Sequence, residues 1–150
     1  MGKKFLKRVV ADTLGFTLLE ILVVVAIIGV LAAFVGPSVF QNISRSRQTA
    51  VVNQIAMFAS ALENYRLDVG RYPTTEQGLQ ALTNKPTLPP IPQNWNGPYL
   101  LSEPPLDPWG QPYNYRYPGE RNPGSYDLFT LGADGQIGGE GENRDIGNWN

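Results

Sequence analysis

The chain has 150 residues, 42% of them hydrophobic, a formal net charge of −1, and neither Cys nor His. Without Cys no disulfide can staple a small domain. Without His the commonest catalytic base and zinc ligand are missing, which sets aside most hydrolase and metalloenzyme arrangements. Residues 1–15 carry Lys3, Lys4, Lys7 and Arg8 against Asp12, a net charge of +3 that leaves −4 for the remainder. An acidic body argues against a nucleic-acid partner.

The basic segment 1–15 ends in Gly15, and the chain then runs from Ile21 to Val35 without a charge. A helix from Phe16 to Val35 spans roughly 30 Å at 1.5 Å per residue, the hydrocarbon thickness of a bilayer. The preceding bases stay cytoplasmic by the positive-inside tendency. An ordinary secretory signal would need a cut near Ala32 or Ala33, but its apolar region is shorter and carries no acid. Here Glu20 lies inside the run, where an unpaired carboxylate costs about 2.5 to 3.5 kcal/mol. Such a group needs a partner, and nothing in the run supplies one.

The sequence Gly15-Phe16-Thr17-Leu18-Leu19-Glu20 resembles the cleavage and assembly motif of type IV pilins and type II secretion pseudopilins. The resemblance implies that a prepilin peptidase cuts after Gly15, on the cytoplasmic side, and methylates the new amino terminus at Phe16. The freed amine, with an unperturbed pKa of about 7.7 to 8.0, is largely protonated at neutral pH. It is the missing partner of Glu20, either within one subunit at i, i+4 or between staggered helices of neighbouring subunits.

Gly36-Pro37 follows the apolar run, where proline is expected to kink or loosen the helix, or to end it. Beyond it Phe40, Ile43, Val51, Ile55, Phe58, Leu62, Tyr65 and Val69 recur mostly three or four apart, which predicts one face of an amphipathic helix. Residues 16–36 are therefore expected to form the transmembrane half of one long helix and residues 37–66 its periplasmic half. The stripe Val51 to Tyr65 is expected to pack on a small globular domain over 67–150. A body of about 85 residues has little core to spare.

Within that domain Gly70-Arg71-Tyr72-Pro73 signals a turn, and Thr74-Thr75-Glu76-Gln77 fits a capping box opening a short helix through Leu79 and Leu82. Nine of the 13 prolines fall between Pro86 and Pro112 with Trp95, Tyr99 and Trp109 interleaved, so this is a long loop pinned by its large side chains. Tyr113, Tyr115 and Tyr117 alternate with polar residues, and a Pro118–Gly124 turn leads to Ser125–Thr130. This pattern predicts a β-hairpin.

Three segments narrow the resemblance: Arg71 to Leu79, Asp107-Pro108-Trp109-Gly110, and Leu131-Gly132-Ala133-Asp134-Gly135. They are similar to those of the major pseudopilin family of type II secretion, general secretion pathway protein G. The likeness then runs from Gly15 to Trp149.

Residues 131–147 hold six glycines among Asp134, Glu140, Glu142, Asn143 and Asp145. By composition alone this is a solvated acidic loop, and its spacing is not that of an EF-hand. The resemblance implies instead that the loop binds calcium through Asp134 and Asp145, with the carbonyls of Leu131 and Gln136 as further ligands. Arg144 stands where the family often has an aspartate, and Glu142, Asn143 or Glu140 is expected to substitute.

The sequence thus predicts an α+β, pilin-like fold: a long N-terminal helix packed on a small domain with a short helix, a Pro-rich loop and an antiparallel hairpin or sheet. Function follows from the resemblance. It implies a non-enzymatic subunit, anchored once in the bacterial inner membrane with its domain in the periplasm. Subunits would assemble into a homo-oligomeric helical filament, the pseudopilus, which helps export folded proteins across the outer membrane. The implied partners are minor pseudopilins, the prepilin peptidase and the inner-membrane assembly platform with its cytoplasmic ATPase. Two alternatives are a membrane-anchored periplasmic binding module using the aromatic loop, and a type IV pilin. Against the first, a monomeric anchor gains nothing from Glu20. Against the second, such pilins commonly close a loop with a disulfide.

Overall fold

The computed structural model describes residues 15–149. Of the expected leader only Gly15 is therefore seen, and its basic residues lie outside the described residues. The chain divides into two compact units, one up to Phe40 and one from Gln41. The division falls four residues beyond the boundary expected at 36–37, and the second unit takes in the helical stretch that builds its core.

Helix α1 runs over Leu18–Val69. It starts two residues later than expected because Thr17 is its N-cap. The Thr17 hydroxyl accepts the Glu20 N–H at 3.2 Å and its carbonyl accepts the Ile21 N–H at 3.2 Å. Helical backbone continues through Gly36-Pro37, so the proline does not end the helix. In the first unit every large apolar side chain from Leu18 to Phe40 is exposed.

In the second unit the expected stripe is the core. Val51, Phe58, Leu62 and Tyr65 are 0% exposed and Ile55 is 7% exposed. The Phe58 ring meets Tyr113 edge-on at 5.3 Å, and Tyr65 meets Tyr99 at 5.6 Å, geometries that suit the ring quadrupoles. Ile43 shares the periodicity but stays exposed. Near it the domain meets α1 through the polar side chains of Arg47 and Gln48.

The capping box forms as expected: Thr74 N–H donates to Gln77 Oε1 at 3.1 Å and Gln77 N–H donates to Thr74 Oγ1 at 3.2 Å. It does not open an α-helix. The next residue, Gly78, turns to φ +60°, and a single 3-10 turn over Leu79–Leu82 buries Leu79, Ala81 and Leu82. Gln77 also donates to the carbonyls of Leu88 and Pro90, which ties down the start of the Pro-rich loop. That loop is pinned by its large side chains. Trp95 Nε1 donates to the Ala81 carbonyl at 3.0 Å and the Tyr99 hydroxyl donates to Asp68 at 2.8 Å. Burial pushes the Tyr99 hydroxyl up to about 12. At the loop's end Asp107 accepts the N–H groups of Trp109 and Gln111 and the Thr130 hydroxyl, so the Asp-Pro-Trp-Gly turn is fastened to the sheet.

The sheet has three antiparallel strands in the order β1-β2-β3: β1 Asn114–Arg116, β2 Asp127–Thr130 and β3 Ile146–Gly147. Tyr115 pairs with Leu128, and Thr130 with Ile146. The first two are the expected hairpin, shorter than the tyrosine alternation suggests. The third falls inside what reads as the carboxy-terminal loop. Beyond β3 the pairing goes on by other means: Leu128 N–H donates to Asn148 Oδ1 at 3.1 Å, and Asn148 N–H donates to the Leu128 carbonyl at 3.0 Å. The hairpin connection is organised by Asp127, whose carboxylate accepts the N–H groups of Glu120, Arg121 and Asn122. Burial pushes this carboxyl up, but those three N–H groups outweigh it and hold it below its ordinary value.

Candidate functional site

Two places carry the residues singled out in the sequence, one in each unit. In the first, Gly15 and Phe16 precede the Thr17 cap and Glu20 occupies the third helical position. Phe16 is 75% exposed. Because the helix begins at Leu18, the intact chain does not place Phe16 and Glu20 at a helical i, i+4 spacing. A carboxylate in the first turn is favoured by the helix dipole. Apart from the Thr17 cap, its neighbours along the chain are apolar and exposed, among them Leu18, Leu19, Ile21 and Leu22. The α1 segment that follows is long and apolar enough to cross a membrane, and none of that window is buried.

In the second unit, the loop between β2 and β3 carries the expected ligands, and the hydrogen bonds of Asp134, Asp145 and Glu142 are separate from one another. Asp134 is exposed, and its Oδ1 accepts the Gln136 N–H at 3.1 Å in a tight turn. Asp145 Oδ2 accepts the Gly138 N–H at 2.9 Å. Asp145 Oδ1 is buried with no hydrogen-bond partner, an orphaned acceptor of the kind a cation would satisfy. Glu142 is directed elsewhere: Arg47 Nη1 donates to its Oε1 at 3.1 Å and its Oε2 at 2.9 Å. Among the described residues no three acidic side chains form a cluster. A cation here would rely on Asp134 and Asp145 and, for the rest, on neutral oxygens such as those of Leu131, Gln136 and Asn143. That donor set of carboxylates, carbonyls and amide fits calcium.

Both places lie in stretches that match known families. The family described as type II secretion system (T2SS), protein G, matches residues 38–149, and the prokaryotic N-terminal methylation motif matches residues 12–36. The chain belongs to the type II secretion protein G family. It is 50% identical over 135 residues to the type II secretion system core protein G of Pseudomonas aeruginosa, covering 90% of this chain and 94% of that one. It is 51% identical over 136 residues to the core protein G of Vibrio cholerae, covering 91% of each. The crystal structure of the major pseudopilin from the type 2 secretion system of enterohaemorrhagic Escherichia coli is similar with a TM-score of 0.62 and 41% identity. It covers 72% of this chain and 90% of that one.

Within this chain, the sequence reading passes over three residues that bond to these segments, Thr17, Arg47 and Gln48. Thr17 as N-cap was detectable, because Thr17-x-x-Glu20 before an apolar run is itself a capping signature. Arg47 and Gln48 were not, since their loop partners Glu142 and Gly141 lie 95 and 93 residues away.

Proposed function

We propose that the chain is a structural subunit of the type II secretion pseudopilus, made as an inner-membrane precursor with its domain in the periplasm. The observation that carries this reading is the first unit. It presents a helix whose large apolar side chains are all exposed and whose first turn holds an acid. Lipid can cover that surface in the precursor, and the same surfaces of neighbouring helices can cover it in a filament. The work is mechanical, with no catalytic group required. Cleavage after Gly15 and methylation of Phe16 by the prepilin peptidase prepare the amine that meets Glu20. Minor pseudopilins and the assembly platform are the remaining partners. The test is complementation of cells lacking their own copy. Mass spectrometry should find a mature chain beginning with methylated Phe16, electron microscopy should find sheared filaments containing it, and secretion should return. A chain that keeps residues 1–15, or is processed yet restores neither filaments nor secretion, overturns the reading.

Calcium belongs to the same proposal. Asp134 and Asp145 would hold it, with neutral oxygens from Leu131, Gln136 and Asn143. Once bound, the ion supplies the positive charge that offsets two carboxylates and satisfies the buried Asp145 Oδ1. At a hundredfold excess over Kd it adds about 2.7 kcal/mol to stability. For a domain of this size that raises Tm by on the order of 10 °C. Thermal unfolding of the processed chain in detergent, in calcium and then in chelator, should show that rise. Superimposable transitions would remove the metal.

A further inference from the structure

The loop's most acidic-looking candidate ligand is the one whose oxygens are already occupied. Arg47 of α1 reaches both Glu142 oxygens, and the neighbouring Gln48 Nε2 donates to the Gly141 carbonyl at 3.2 Å. The Glu142 carbonyl in turn accepts the Ala133 N–H at 2.9 Å. Two glycines make room for this segment. A Cβ on Gly132, which sits at φ +70°, would stand 2.6 Å from the Glu142 carbonyl oxygen. One on Gly139, at φ +98°, would stand 2.6 Å from the Asn143 carbonyl oxygen. Residues 141–143 are therefore a plug, fastened to α1 on one side and seated against glycine backbone on the other. Asp134 lies two residues beyond Gly132, and Asp145 two residues beyond Asn143.

From this seating we infer that Glu142 is the catch of a latch and not a cation ligand. Arg47 holds Glu142, and through it holds the loop in the conformation that brings Asp134 and Asp145 to a shared cation. Arg47 is thus a positioning residue of a site to which it contributes no ligand. The inference rests on the calcium reading for its affinity arm and is independent of it for its conformational arm.

The two roles of Glu142 predict opposite signs. If Arg47 merely competed for a ligand carboxylate, Arg47→Gln would free Glu142 and tighten calcium binding. If Arg47 positions the loop, Arg47→Gln weakens it. The pair is part-exposed, with side-chain exposures of 40% and 35%, so the effect is modest. Calorimetric titration of the processed chain in detergent should show Kd raised about threefold by Arg47→Gln or Glu142→Gln, with stoichiometry unchanged. Arg47→Lys, which keeps a point charge, should recover part of the loss, as should the exchanged pair Arg47→Glu with Glu142→Arg. Hydrogen exchange without calcium should be faster at 141–144 in Arg47→Gln and unchanged at Val51–Tyr65, which separates the latch from a folding defect. Tighter or unaltered binding in Arg47→Gln, or loss of the bound ion in Glu142→Gln alone, overturns the latch. If the unaltered chain binds no calcium, the cation reading falls. Exchange at 141–144 then decides: acceleration by Arg47→Gln sustains the latch, and no change sinks it.

Discussion

Substituting Glu20 with Ala leaves the chain processed and in the membrane but reduces filaments to background. Removing a carboxylate from an apolar, exposed helix makes the helix easier to keep in lipid, by about 2.5 to 3.5 kcal/mol on insertion scales. A simple anchor would therefore be improved by the change. Assembly would suffer, because the amine released at Phe16 then enters the filament as a charge with no counterpart, and an uncompensated buried charge costs about 3 to 5 kcal/mol. Repeated at every subunit, that cost forbids a stable polymer. Fractionation, amino-terminal sequencing and electron microscopy of the same cells provide the readout. Normal filaments from processed Glu20→Ala subunits would show that the acid plays no part in assembly.

Replacing Phe58 with Ala cripples the domain without touching the anchor. Phe58 is 0% exposed and packs edge-on against Tyr113, so truncation leaves a cavity between α1 and the start of β1. Phe→Ala changes in cores cost about 3 to 5 kcal/mol, against total stabilities of about 5 to 15 kcal/mol for ordinary domains. Chemical denaturation should show a lower midpoint with an unaltered slope. In cells the variant should reach the membrane and then be degraded. A midpoint within error of the unsubstituted chain would mean that the stripe is not the core.

These two changes mark how much of the molecule was legible in its sequence. Val51, Ile55, Phe58, Leu62 and Tyr65 announce themselves because a buried helical face repeats every three or four residues. The Thr74–Gln77 box was equally readable, since its partners are three residues apart. The path of the chain past the box was not: Gly78 at φ +60° diverts it into a 3-10 turn, a tertiary outcome that composition does not encode. Glu20 was legible as an anomaly, its exposed apolar surroundings being visible in the sequence, while the helix start at Leu18 depended on noticing a cap. The carboxy-terminal loop was half legible. Glycine and acid content flagged it, but nothing local says that Glu142 turns to Arg47 or that Ile146 and Gly147 form a strand. A two-residue strand has no periodicity, and a contact spanning 95 residues has no local signature.

That two-residue strand has a consequence for life in a crowded polymer. β2 is the central strand, and without β3 its outer rim would offer unpaired donors and acceptors to any neighbouring chain. Subunits held side by side in a membrane and stacked in a fibre, as proposed above, would meet at very high local concentration. Ile146 and Gly147 shield Thr130 and Phe129, and the Asn148 side chain then occupies the Leu128 N–H as another strand residue would. Residues 146–148 thus blunt this side of the sheet against pairing with another chain.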